Sequence, residues 1–156
     1  MTDAPIETLE LLRERAALER DRLTGELRHA EEVALRMRRQ GEQLVAYRAE
    51  YVQRWSSQFA RGGAIEIVHC YQSFMQRLDE ALQQQQAKIE AAGRQAEAQR
   101  QALVQAELRV ASVRKLIERR RAEFQRESQR REQRVADETA QQLAQRRPRA
   151  TLALQH

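Results

Sequence analysis

Apolar residues recur at alternating intervals of three and four positions from Tyr71 to Phe124, and the helix-forming sequence continues beyond them to Arg147. This spacing places one apolar stripe along a helix, and such a stripe has to pack against another helix. Continuing the count past Phe124 reaches only charged positions, namely Glu127, Arg131, Arg134 and Glu138. We therefore expect the last ~25 residues to be helical by propensity, without a partner helix in this chain.

A similar apolar stripe precedes it, from Leu9 to Trp55, and the double glycine Gly62-Gly63 separates the two. Glycine pairs of this kind are strong breaks in helical sequence. The pattern predicts an all-α fold, with two long helices in an antiparallel coiled-coil hairpin and a C-terminal helical overhang. Folding about the turn places residue n roughly opposite residue 125 − n, so Tyr51 should face Phe74.

Prolines and glycines also set the expected boundaries. Pro5 suits a first helical turn, with Asp3 or Thr2 as a possible cap, and Pro148 is expected to end the second helix. We thus expect a single hairpin over residues 1–156, with helix 1 at about 5–60, the turn at about 61–64, helix 2 at about 65–147 and a frayed tail at 148–156.

The composition excludes several classes of protein. Although 41% of the residues are hydrophobic, only 4% are aromatic, which suits a narrow helical seam rather than a layered core. No apolar run reaches the ~18 residues of a membrane span, and no signal peptide is recognisable at the N-terminus. We expect a cytoplasmic protein, at most peripheral to a membrane. The single cysteine, Cys70, excludes an internal disulfide.

Catalysis and cofactor binding find no support. The histidines, His29, His69 and His156, are far apart, and no cluster has metal-ligand spacing. Neighbouring residues on a helix point in different directions, so His69 and Cys70 do not form a dyad. We expect no enzyme activity, no catalytic residue, no metal and no cofactor.

Positive charge is concentrated near the C-terminus. Residues 114–149 hold 12 basic and 6 acidic residues, a balance of +6, whereas residues 1–113 hold 16 and 17, a balance of −1. An Arg-rich coiled coil that binds nucleic acid is therefore one alternative. Acidic residues recur through the same stretch and would repel phosphates, so we expect no nucleic-acid partner. A plain dimeric spacer is another alternative.

Six of the seven aromatic residues lie between positions 47 and 74. Tyr47, Tyr51, Trp55 and Phe59 recur every fourth residue and form a stripe along one helix. They pack the turn end of the hairpin in one interpretation. In the other, a two-helix structure leaves part of the stripe exposed as a protein interface.

Four features that do not depend on the heptad pattern resemble the FliJ family, the coiled-coil component of the bacterial flagellar type III export apparatus. They are Tyr47-Arg-Ala-Glu-Tyr51, the Gly62-Gly63 turn, Tyr71-x-x-Phe74-x-x-x-Leu78-Asp79-x-Ala81, and Arg131-Glu132-Gln133-Arg134-x-x-Asp137-Glu138-x-Ala140. The likeness covers nearly the whole chain. Two departures are Arg134, where the family more often has Lys, and the missing Trp in the middle of the second helix.

The resemblance implies a non-enzymatic, stalk-like rod that serves flagellum biogenesis, and through it motility and chemotaxis. Such a rod would bind the hexameric export ATPase, promote its ring assembly and activity, and link it to the cytoplasmic linker of the export gate. Substrate-specific export chaperones would be further partners. The equivalent stalk of a virulence-type secretion system shares this architecture and stays open as an alternative.

The resemblance also implies two sets of binding residues. The surface for the export gate would consist of Gln40, Leu44, Tyr47, Tyr51, Phe74, Leu78 and Ala81. The surface for the ATPase would consist of Arg13, Arg15, Arg131, Glu132, Gln133, Arg134, Asp137 and Glu138.

Overall fold

The computed structural model describes residues 4–153, and the side chains of residues 4–146. It contains two α-helices, α1 (Ile6–Ala60) and α2 (Ile65–Ala153), and no strand within the described residues. The helices pack as an antiparallel hairpin. The predicted all-α class is confirmed.

Helix α1 begins directly after Pro5. The carbonyl of Pro5 accepts the backbone N–H groups of Thr8 at 3.0 Å and of Leu9 at 3.2 Å, so Pro5 itself occupies the capping position. Proline is tolerated there because its missing N–H would have no partner at a helix start. The proposed caps Asp3 and Thr2 lie outside the described residues.

The connection between the helices is a tight turn built around Gly62. Its φ of +88° lies in the left-handed region, which a residue without a Cβ adopts at little cost. The Gly62 N–H donates to the Phe59 carbonyl at 3.1 Å, and this bond closes the last turn of α1. On the other side, the Ala64 carbonyl accepts from Ile67 at 3.0 Å and starts α2.

The end of α2 differs from the prediction. The helix passes through Pro148 and ends at Ala153, so the expectation that this proline ends the helix is wrong. A proline inside a helix removes one hydrogen bond and strains the preceding turn. The cost is about 3 kcal/mol, and α2 nevertheless continues for five residues beyond Pro148. Of the expected frayed tail, residues 154–156 lie outside the described part.

By its contacts the chain divides into two compact units. The first, here called the terminal unit, joins the described residues up to Ala16 with those from Arg109 onward. The second, the turn unit, is Ala17–Leu108 and contains the turn between the helices.

Small side chains form most of the core of the turn unit. Every buried apolar residue falls on a position that the 3-4 repeat predicted, and the set is Ala30, Ala34, Met75, Leu78, Ala92, Ala96 and Ala106. Gln85 is buried among them, with 7% of its surface exposed. Its Nε2 donates to the Met37 carbonyl at 2.8 Å, so the amide is satisfied inside the seam.

Contacts across the turn unit confirm the predicted pairing. The rings of Tyr51 and Phe74 lie 4.2 Å apart between centroids. Two ion pairs also join the helices, Arg48–Asp79 at 2.8 Å and Arg100–Glu31 at 3.3 Å. The residue numbers of these three pairs add up to 125, 127 and 131. The simple rule is therefore correct to within two helical turns.

The terminal unit buries three larger residues, Leu9, Val110 and Ile117, the last with only 2% of its surface exposed. Arg121 and Glu10 form an ion pair across it at 2.8 Å. The repeat predicted Phe124 as its last buried position, but Phe124 is 66% exposed. Helix α1 begins at Ile6, which contributes to one groove with Phe124 without covering the ring.

Replacing two helical glycines tests the packing of the seam. A Cβ added at Gly93 meets nothing within 4 Å, whereas one added at Gly41 meets Ile89 Cδ1 at 2.8 Å. We expect Gly93→Ala to raise the free energy of unfolding by about 1 kcal/mol through helix propensity alone. Gly41→Ala should gain less, because Ile89 has to change its rotamer, which costs about 1 kcal/mol. Urea unfolding followed by circular dichroism measures both, and equal gains would contradict the close approach.

Candidate partner-binding surfaces

The overhang, here defined as residues 125–146 of α2, is helical throughout. Every side chain from Glu123 to Arg146 is exposed, including Val135 and Leu143. The described part of the chain therefore offers this stretch no packing partner, as the end of the apolar repeat predicted. Helix propensity and local bonds such as Gln133–Asp137, at 3.5 Å, are what hold it.

The overhang residues that the resemblance assigned to the ATPase surround the helix instead of lining one side. Arg131, Glu132, Gln133 and Arg134 are consecutive, and successive helical residues are turned by about 100°. Four consecutive side chains therefore point in four directions. Asp137 and Glu138 fill two of the remaining gaps, and all six are exposed.

The two α1 residues of this set belong to the same terminal unit. Arg13 is half-buried and Arg15 is exposed. Residues two positions apart on a helix are turned by about 200° relative to each other, so these side chains point to nearly opposite sides. A flat partner surface would therefore reach only one of them.

The aromatic cluster consists of the four-residue stripe on α1 together with Tyr71 and Phe74 of α2, and its centre is Tyr51. From the Tyr51 ring the distances between centroids are 6.3 Å to Tyr47, 5.8 Å to Trp55, 6.0 Å to Tyr71 and 4.2 Å to Phe74. Offset and tilted pairs at such distances stabilise each other. Tyr51 is half-buried, whereas Tyr47 is 47% exposed. The cluster both packs the turn end and presents a ring to its surroundings.

Exposure differs widely among the residues that the resemblance assigned to the export gate. Gln40 and Tyr47 are exposed, and Leu44, Tyr51, Phe74 and Ala81 are half-buried. Leu78 is 7% exposed and belongs to the core, so it offers little surface to a partner. Tyr47 offers the largest accessible side chain of the set.

An ion pair that the sequence analysis did not predict lies beside this cluster. Arg48 Nε donates to Asp79 Oδ1 at 2.8 Å. The hydrogen bond and the negative charge of Asp79 raise the pKa of Arg48 above its ordinary value. The turn rule pairs residue 48 with residue 77, close to Asp79, so this partner was within reach of the sequence. The pair borders one groove with Tyr71 and Met75.

The turn unit also has an apolar groove that the sequence did not indicate. Its volume is about 540 Å³, and it is lined by Gly41, Val45, Ala46, Ala49, Leu82 and Ile89 together with polar side chains at its rim. The groove forms because the α1 residues that line it are small: Gly41, which lies in the seam, and Ala46 and Ala49 beside it.

Within residues 4–153, no group of three His, Cys, Asp or Glu residues is arranged to hold a metal ion. Neither helix, over its described length, has a stretch that is apolar enough to cross a membrane.

These features define a class of protein: an all-α helical hairpin whose exposed helix surfaces are available to other proteins. The family model described as "Flagellar FliJ protein" matches residues 5–149, and the chain belongs to this family. The chain is thus a component of the flagellar protein export apparatus, which is a type III secretion system. Among curated proteins and solved structures, none matches this chain.

The two tyrosines of the cluster, Tyr51 and Tyr47, should contribute unequally to the free energy of unfolding. Tyr51→Ala removes contacts with four rings, so we expect it to lower the free energy of unfolding by about 2 to 4 kcal/mol. Tyr47→Ala should cost about 1 kcal/mol or less, because Tyr47 is largely exposed. Urea unfolding of both variants, with Tyr51→Phe as the control that keeps the ring, makes the comparison. Equal losses would contradict the central position of Tyr51.

Proposed function

We propose that this chain is the stalk-like component that binds the hexameric flagellar export ATPase through its overhang. In the same proposal it promotes the assembly and activity of the ATPase ring and binds the cytoplasmic linker of the export gate through its aromatic cluster. The observation that carries the proposal is a helix with every side chain exposed from Glu123 to Arg146, in a chain of the FliJ family.

A ring-shaped partner suits the arrangement of the overhang. Its six candidate residues, from Arg131 to Glu138, surround the helix, so a single flat surface would leave most of them uncontacted. A hexameric ring that encloses the helix reaches all of them. Charges of both signs on the helix then allow pairs with either sign on the ring, and such pairs favour correct docking over wrong partners.

The aromatic cluster suits the export gate. Tyrosine is enriched at the centres of protein interfaces, where its ring is buried and its hydroxyl keeps a polar partner. Tyr47 is exposed, but one side of its ring packs against Tyr51 and Phe74, with distances of 6.3 and 6.4 Å between ring centroids. A side chain that is held in place before binding loses less conformational entropy when a partner covers it.

Export chaperones are further partners in this proposal, as the family resemblance implies. Association with the inner face of the membrane would then come through the ATPase and the gate.

Truncation after Phe124 tests the role of the overhang. The shortened chain should lose binding and stimulation of the ATPase and keep its binding to the gate linker. Its unfolding midpoint should change little, because every side chain of the removed overhang is exposed. Co-purification and ATPase rate measurements give the answer. Full stimulation by the shortened chain would refute the assignment of the overhang.

Tyr47→Ala tests the gate surface, with Val45→Ala as the matched control. Both side chains are exposed on α1, with 47% and 59% of their surfaces accessible, but they point to different sides of the helix. We expect Tyr47→Ala to weaken binding of the gate linker at least tenfold, as loss of a central aromatic contact does. Val45→Ala should leave binding unchanged. Titration of the labelled linker peptide measures both, and equal affinities would exclude Tyr47 from the contact.

A further inference from the structure

One face of the overhang has a symmetry that the proposed function does not use. It is formed by Glu132, Val135, Thr139, Leu143 and Arg146, and is called here the palindromic face. The spacings between these residues are three, four, four and three. At about 100° per residue, all five positions fall within an arc of about 80° on the helix. They therefore share one side of α2 over about four turns.

The palindromic face is apolar at its centre and open to a partner. Val135 is 63% exposed and Leu143 is 58% exposed. Between them, the Thr139 hydroxyl donates to the Val135 carbonyl at 2.8 Å. The hydroxyl already has an acceptor in its own helix, so covering this face leaves no unsatisfied donor at Thr139. Three adjacent side chains can thus be buried without a polar penalty.

The palindromic face has an acidic residue, Glu132, at one end and a basic residue, Arg146, at the other. Reversing the helix about Thr139 exchanges Glu132 with Arg146 and Val135 with Leu143. A second copy that packs antiparallel on this face would therefore place Glu132 opposite Arg146 twice, once at each end. A parallel second copy would place like charges opposite each other, which is unfavourable.

We propose that two copies of this chain pair antiparallel through their palindromic faces, with Thr139 at the twofold axis. The overhang supplies the unpartnered helix, the apolar centre supplies the contact, and the two charge pairs select the direction. Residues on the opposite side of the helix, such as Arg130 and Asp137, stay outside the pair. Asp137 there already accepts a hydrogen bond from Gln133.

The pair is expected to be weak and dependent on concentration. Each copy contributes two large apolar side chains, Val135 and Leu143, and the contact covers about four helical turns. Interfaces of this size belong to the small, transient class. One consequence rests on the proposed function: Glu132 lies in both surfaces, so pairing with a second copy excludes binding of the ATPase at that residue.

Charge reversal in the full chain tests the pairing. Glu132→Arg and Arg146→Glu each place like charges together at both ends, and each should weaken association roughly tenfold. The double variant restores opposite charges and should recover association to within about threefold of the unchanged chain. Arg130→Glu is the matched control, since it changes the charge as Arg146→Glu does but on the opposite side. Sedimentation equilibrium over a concentration series measures all four variants, and circular dichroism checks that the helices are intact.

Disulfide trapping tests the direction of the pair. In a Cys70→Ser background, which removes the one native thiol, chains with Val135→Cys are mixed with chains with Leu143→Cys. Antiparallel pairing should give mainly the mixed disulfide between positions 135 and 143. A predominance of 135–135 and 143–143 products would overturn the proposed geometry.

Three results would overturn the pairing itself. They are a chain that stays monomeric at high micromolar concentration, equal effects of Arg146→Glu and Arg130→Glu, and a double variant that fails to recover. Loss of ATPase binding after truncation at Phe124, together with a monomeric full chain, would refute this inference and leave the proposed function intact. Concentration-dependent pairing in a chain that binds no ATPase would support this inference and refute the proposed function.

Discussion

The narrow apolar seam between α1 and α2 determines the rest of the structure. In the turn unit it is built largely from alanines, among them Ala30, Ala34, Ala92 and Ala96. A buried methyl group contributes only about 0.8 kcal/mol, so each helical turn of this seam adds little. The larger contributions come from few places: the aromatic cluster in the turn unit, and Val110 and Ile117 in the terminal unit. Beyond Phe124, α2 continues alone, because α1 begins at Ile6 and has no residue opposite that part of α2.

Much of this fold follows from the sequence because it depends on local rules. The 3-4 repeat identifies the buried positions, and Gly62 is required where φ is +88°. The Tyr51–Phe74 contact follows from counting outward from the turn. Two features do not follow. The continuation of α2 through Pro148 runs against the expected break at a proline, and the exposure of Phe124 depends on where α1 begins.

Candidate surfaces are harder to predict than the fold, because a repeat identifies which residues recur but not how much of each side chain is accessible. Leu78 matches the family pattern yet lies in the core, whereas Tyr47 is exposed. The palindromic face escapes a heptad count for a different reason. The count from Phe124 continues to Arg131, Arg134 and Glu138, whereas this face begins one residue later, at Glu132, Val135 and Thr139, and one residue is a turn of about 100° around the helix.

An unpartnered helix near the end of a coiled coil is a surface that more than one partner could cover. If both the ATPase and a second copy bind the overhang, both contact Glu132 and therefore compete. Their concentrations and affinities then determine which of them is bound. A ring that encloses the helix offers contacts on every side, whereas the second copy offers one face with two apolar side chains. The ring should therefore displace the second copy when ATPase is present. Without ATPase, pairing would cover Val135 and Leu143, which are otherwise an exposed apolar surface open to non-specific association.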